Sequence, residues 1–173
     1  MSIEPDAPYF LAGPYPEPTV LEVPEVATVV NVAADYPLER MREVFDATFG
    51  ALLPVLAVHG LQPVGPAFSL HRRMPTETVD FEVGLPVDRP LEGPVGTDSG
   101  MVLRPSRLPG GRVAIVTHRG SYDGLGEAWA RFMDAVASAG HRPVLPFWEV
   151  YVTEPSPEAD PAAMRTDLVT LLA

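Results

Sequence analysis

The chain is expected to fold as an α+β domain: a tandem β-α-β-β duplication, its two helices packed on one face of an antiparallel sheet and a cleft between the halves. Three observations lead there. Short β-branched apolar runs alternate with two longer segments of helical period; the order strand, helix, strand, strand occurs twice; and matching residues recur at fixed offsets.

The first ~20 residues, rich in Pro and acids, resist regular structure and are expected to form an extended arm. "ATVVNVAA" (27–34) has the composition of a strand. From 35 to 60 the period changes: Met41, Val44, Phe45, Thr48, Phe49, Leu52 and Leu56 recur at threes and fours and make one apolar stripe. Gly60 is a natural stop, and Pro54 should kink the helix or begin a new turn because it lacks a backbone donor. "GPAFSLHRR" (65–73) and "TVDFEVGLPV" (78–87) are two strands joined as a hairpin. "DRPLEGPVGTDSG" (88–100) is a Pro- and Gly-rich connection. "GRVAIVTHRG" (111–120) then starts the second half, followed by a helix over 121–140 with Leu125, Ala128, Trp129, Phe132 and Val136 on one face, and by strands at 146–153 and 165–173.

Internal similarity supports the duplication. Ala27 matches Ala114 and Asp80 matches Asp167 at an offset of 87 residues, and Tyr36 matches Tyr122. Gly60, Pro63, Pro66 and Phe68 match Gly140, Pro143, Pro146 and Trp148 at an offset of 80. The expected organisation is an arm at 1–20 and one domain at 21–173, with repeats at about 21–90 and 101–173.

Composition narrows the function. With 46% hydrophobic and 20% charged residues over 173 positions, the chain can bury one core and is not disordered. A formal net charge of −11, with no basic cluster beyond "HRR" at 71–73, disfavours direct nucleic-acid binding and favours attraction of cations. The 21 prolines beside many Ala, Val and Arg suit a high-GC bacterial gene. Without cysteine there is no disulfide or thiolate metal site, and His59, His71, His118 and His141 lack metal-ligand spacing, so neither metal nor cofactor is expected. No signal peptide or membrane span is legible, which points to a cytoplasmic protein. "GTDSG" and "LPGGR" are turns rather than phosphate or dinucleotide loops, and no G-x-S-x-G elbow occurs.

The chemistry-bearing stretch is "PFWEVY" (146–151), which sets one carboxylate, Glu149, in a strongly apolar strand. Strand alternation puts Phe147, Glu149, Tyr151 and Thr153 on one face and Trp148, Val150 and Val152 on the other. In the repeat alignment Ser69 takes the place of Glu149, so the symmetry of the fold does not require the acid. An acid among aromatic rings in a cleft between two related units suits a flat cation, through charge pairing and cation–π contact.

"VAIVTHRGSYDGLGEAWARF", "WEVYVTEPSPEADPAAMRTDL" and "GPAFSLHRR…VDFEVGLPV" together resemble the GyrI-like small-molecule-binding family, which includes effector-binding domains of multidrug-responsive transcription regulators and free-standing homologues. The resemblance runs from about Val26 onward, and the combination of "HRGSYDGL", "WEVY" and "EADP" carries it. It implies a tandem repeat of the SHS2 type with a central hydrophobic cleft, an acid at Glu149 that meets cationic aromatic ligands, and Tyr122 near the cleft. Trp148, Tyr151, Phe147 and Phe68 are further candidate walls. The ~20 residues before the expected fold leave no room for a helix-turn-helix, so the free-standing kind is the expectation.

The leading expectation is a cofactor-free protein that binds flat, hydrophobic, often cationic small molecules for sensing, sequestration or protection. Some free-standing relatives hydrolyse strained cyclopropane-containing natural products, and in that alternative Glu149 and Tyr122 would be the catalytic acid and phenol. A third reading, a protein inhibitor, would set the acidic surface against a basic partner such as a topoisomerase. The sequence leaves the ligand and the oligomeric state open.

Overall fold

The computed structural model describes residues 12–153 and 160–173. Residues 1–11 of the expected arm, and Glu158 and Ala159 of the "EADP" motif, lie outside the described residues. The described residues form β1 (Thr19–Val23), β2 (Val26–Pro37), α1 (Met41–Val58), β3 (Phe68–His71), β4 (Thr78–Pro86), β5 (Val95–Gly96), β6 (Val102–Leu108), β7 (Gly111–Arg119), α2 (Leu125–Ser138), β8 (Pro143–Tyr151) and β9 (Arg165–Leu172). A 3-10 turn precedes each helix, at Leu38–Arg40 and Tyr122–Gly124.

All nine strands join one antiparallel sheet in the order β1-β7-β9-β8-β3-β4-β2-β6-β5, with both helices on one face, as the two periodicities predict. Val44, Leu52 and Leu56 of α1 pack on β2, β4 and β6, and Phe132 and Val136 of α2 pack on β7 and β9. The opposite face encloses a core drawn from strands alone, with Val23, Val30, Phe68, Leu108, Ile115, Trp148, Val150 and Val169 in one cluster. Residues from strands near both ends of the sheet order meet in that cluster, so the sheet is rolled around it.

The pairing registers refine the duplication. Across β1, β2, β4 and their counterparts the structural offset is 85, not 87: the Val23–Gly111 pair repeats as Val26–Leu108, and the Leu70–Glu82 pair repeats as Val150–Asp167. A shift of two residues keeps every side chain on its own face, so sequence similarity alone does not detect it. In β3 and β8, and at the helix ends, the offset is 80 as read from sequence. Gly60 (φ 67) and Gly140 (φ 87) both stop a helix in the left-handed region, with Leu61 N–H bonded to Leu56 and His141 N–H to Val136.

Each unit also begins with a strand absent from the expected β-α-β-β pattern. β1 lies partly within the segment expected as an arm, and β6 follows the Pro-rich connection, which itself contributes the short β5. These leading strands are exchanged: β1 pairs with β7 of the second unit, and β6 with β2 of the first. Where the exchanged strands turn, Gly110 abuts Glu25, since a Cβ there would stand 2.6 Å from the Glu25 nitrogen. β6 does not alternate cleanly and Pro105 interrupts it, while β1 is only five residues long between Pro18 and Pro24, so both read as loop from sequence. α1 runs through Pro54 as one element. The carbonyl four residues earlier, which the ring would crowd, belongs to Gly50.

Candidate functional site

The two helices leave a groove over β3 and β8, and a cavity of about 910 Å³ occupies it. One wall is α1, with Met41, Arg42, Phe45, Asp46, Phe49 and Leu53; the other is Tyr122 and Leu125 at the start of α2. Tyr151 and Val152 at the end of β8, with Pro63, Pro66, Ala67 and Leu85, complete the lining. The apolar stripe of α1 therefore has two duties: Val44, Leu52 and Leu56 bury against the sheet, and Phe45 and Phe49 turn toward the groove.

Glu149 stands on this face at the middle of the sheet, directly opposite Ser69. Its Oε2 accepts from Trp129 Nε1 at 2.6 Å, and its Oε1 accepts from the Tyr151 hydroxyl at 2.8 Å. That hydroxyl is also 2.7 Å from Ser69 Oγ, so a chain of three polar groups crosses the central ladder. Burial pushes the Glu149 carboxyl above the ordinary range, against the two hydrogen bonds and the nearby His118, which act to lower it. Burial, then the Glu149 charge, push the Tyr151 phenol well up, so it stays protonated and donates.

Tyr151 is the ring between the carboxylate and the cavity. It makes edge contacts with Phe45 at 5.6 Å and with Tyr122 at 5.8 Å between ring centres. The Tyr122 hydroxyl is buried and has no hydrogen-bond partner among the described residues. Burial raises its pKa first, with a further push from the Glu149 charge. The Tyr122 phenol thus lies in the cavity wall with a free valence, and behind the Tyr151 ring stands a carboxylate in a dry setting. Such a site can pair with a positive charge or hydrogen-bond a polar edge while the aromatic rings take a flat apolar body. Among the described residues no group of three His, Asp or Glu side chains gathers in a way that could hold a metal ion.

The expected site residues separate by strand face. Tyr122 and Tyr151 line the groove, and Glu149 lies behind Tyr151, outside the lining itself. Phe147 shares their face but is buried between His71, at 5.0 Å and nearly parallel, and Trp129, at 4.8 Å. Trp148 and Phe68, expected as walls, point to the other side and are fully buried in the strand-only core, as the alternation of β3 and β8 requires. Trp129, on the apolar face of α2, packs against the core beneath that helix and is also the hydrogen-bond donor that holds Glu149. Phe45 and Phe49 are cavity wall. Sequence signals for these three were present in their helical faces, but which edge of a stripe turns to a groove depends on the partner element.

A model of the family described as the GyrI-like small molecule binding domain matches residues 16–169. Curated proteins give no significant match. Among solved structures, the EcmrR C-terminal domain is similar with a TM-score of 0.74 at 17% identity, over 91% of this chain and 97% of that one. A hydrolase from Listeria innocua gives a TM-score of 0.64 at 14% identity, over 94% and 95% of the two chains. SAV2435 bound to tetraphenylphosphonium gives 0.59 at 8% identity, over 91% and 94%. At these identities the structural likeness is one of fold.

Proposed function

Since the chain belongs to the GyrI-like small-molecule-binding family, we propose that its ligand occupies the groove between α1 and α2 and is flat, hydrophobic and positively charged. The observation that carries this reading is the placement of Glu149 behind Tyr151 at the inner end of a cavity walled by Phe45, Phe49 and Tyr122. A cation entering such a cavity meets the electron-rich faces of aromatic rings and, within a short distance in a poorly solvated setting, a carboxylate held by two donors. The fold relative solved with tetraphenylphosphonium, a lipophilic cation of tetrahedral shape, accords with the hydrophobic and positive character of this class, though not with its flatness. The protein's role would be sensing, sequestration or protection.

A hydrolytic reading draws on one observation, the unpartnered Tyr122 hydroxyl whose phenol feels the Glu149 charge. A carboxylate that deprotonates a water for attack on the strained ring carbon, beside a phenol that protonates the oxyanion developing on a conjugated carbonyl as the ring C–C bond breaks, could open a cyclopropane-containing electrophile. One experiment separates the two readings. Wild type and Glu149→Gln are incubated with ethidium, rhodamine 6G and a cyclopropane-containing electrophile, with fluorescence for binding and mass spectrometry for the recovered compound. Binding predicts saturable uptake, weakened in Glu149→Gln, with the ligand recovered unchanged. A hydrated product formed by wild type but not by Glu149→Gln or Tyr122→Phe would establish the hydrolase, and no interaction with any compound would overturn the groove as a site for these classes.

A further inference from the structure

The groove lies on an approximate twofold axis, yet only one half of it is open. The axis passes between Ser69 and Glu149, which occupy equivalent places in the two repeats and pair with each other across the β3–β8 ladder. On one side of the axis Ala67 accepts a backbone hydrogen bond from Tyr151, and both line the cavity. On the other side the equivalent pair is Phe147 and His71, bonded in the same ladder. There the space is filled: His71 is stacked between Phe147 and Phe81, and Trp129 closes against Phe147. Trp129 in turn occupies the place of Phe49, given the common offset of the two helix ends.

We infer that the exchange of Ala67 for Phe147 makes the pocket one-sided, and that the filled half is a latent second subsite for an apolar or aromatic group of the ligand. Phe147 is thus a determinant of ligand size, and Ala67 is the opening through which the present cavity exists. Two observations support a subsite rather than ordinary core. The backbone frame is the same as that of the open half, and the Nδ1 of His71 is buried without a hydrogen-bond partner, a polar atom available to a ligand once the ring of Phe147 is gone. The inference rests on the groove being the ligand site, and its test separates the two.

Phe147→Ala, the milder Phe147→Leu, and Ala67→Phe are prepared alongside wild type, with the fold checked by near-UV circular dichroism. Xenon uptake, followed in crystals under pressure, reads the cavity without any ligand, because dry apolar cavities take up xenon. Titrations with ethidium and with the bulkier tetraphenylphosphonium read size selection. Phe147→Ala is expected to admit xenon beside His71, where wild type does not, and to shift the affinity ratio toward tetraphenylphosphonium by at least about tenfold. Ala67→Phe is expected to weaken both ligands by about tenfold or more. Should Phe147→Ala fail to fold, Phe147→Leu and Ala67→Phe decide the matter, since Ala67→Phe removes no core atom. Unchanged selectivity in a folded Phe147 variant, or full ligand affinity in Ala67→Phe, overturns the inference. If wild type binds neither cation while xenon enters Phe147→Ala, the latent cavity stands and the proposed ligand class falls.

Discussion

Ser69 and Glu149 face each other across the central β3–β8 ladder, and each is the other's counterpart in the duplicated sequence. Glu149 therefore stands beside the pseudo-twofold axis, where the duplication placed a hydroxyl on one side and an acid on the other. Tyr151 spans the two, in hydrogen-bond contact with both Ser69 Oγ and Glu149 Oε1.

Glu149→Gln is expected to weaken a permanently cationic ligand by about 2 kcal/mol, roughly thirtyfold, the scale of a charged hydrogen bond. In wild type the affinity should fall as pH drops through the raised pKa of Glu149, because protonation removes the charge. Arg42 and Asp46 of the cavity lining, and His118 beside Glu149, also stand near the ligand; Glu149→Gln should remove only the Glu149 limb of the profile. Fluorescence titration of ethidium across pH tests this.

The same substitution should stabilise the unliganded protein at neutral pH. A carboxyl with a raised folded-state pKa contributes stability at low pH that is lost as pH rises through that pKa, so a neutral Gln avoids the loss. Gln can still accept from Trp129 and donate to Tyr151, which leaves the network satisfied. Urea denaturation of Glu149→Gln should show a higher midpoint than wild type near pH 8 and a difference that shrinks toward pH 4.

His71 is expected to limit acid stability. Burial between Phe81 and Phe147 lowers its pKa to about 4, so the folded state disfavours the protonated form. The sign follows: stability is full above the ordinary value near 6.5 and is lost as pH falls from there toward 4, to a total of about 3 kcal/mol. His71→Phe should flatten this limb, and a variant that loses stability between pH 6.5 and 4 as steeply as wild type would refute the assignment.

Arg165 neutralises the most deeply buried carboxylate. Asp167, with no solvent exposure, accepts from Arg165 at 2.8 and 3.0 Å and from Thr117 Oγ1 at 2.8 Å. Arg165 also holds the Ala12 carbonyl, and Thr117 accepts from the Tyr15 N–H, so the same cluster ties the entering chain to the sheet. Arg165→Met should cost about 3–5 kcal/mol by leaving the acid unpaired, and adding Asp167→Asn should recover much of it. Chemical denaturation of the single and double variants measures the coupling.

Gly84 in β4 is a steric requirement. A Cβ there would fall on the Val29 carbonyl of the neighbouring strand. Gly84→Ala should therefore destabilise by about 3 kcal/mol or more, read as a fall in the thermal midpoint with the ligand groove untouched. Glycine inside "FEVGLPV" is the mark of a close backbone approach, and that signal stands in the sequence.

The sequence by itself determined the element types, the duplication and the strand face of Glu149. Periods of 2.0 and 3.6 residues are local properties, so Phe147, Glu149 and Tyr151 separate from Trp148 and Val150 without any knowledge of the fold. It did not reveal the exchanged strands β1 and β6, whose pairing partners lie in the opposite repeat and which are short and flanked or interrupted by proline. Nor did it show that Trp148 and Phe68 enclose a core on the far face. An alternating strand tells which residues stand together, and only the helices lying on one side of the sheet decide which of the two faces becomes the groove. The tertiary structure also made Trp129, which packs on the core, the partner of Glu149, because a helix stripe buries toward whatever lies beneath it, and here a carboxylate lies beneath its edge.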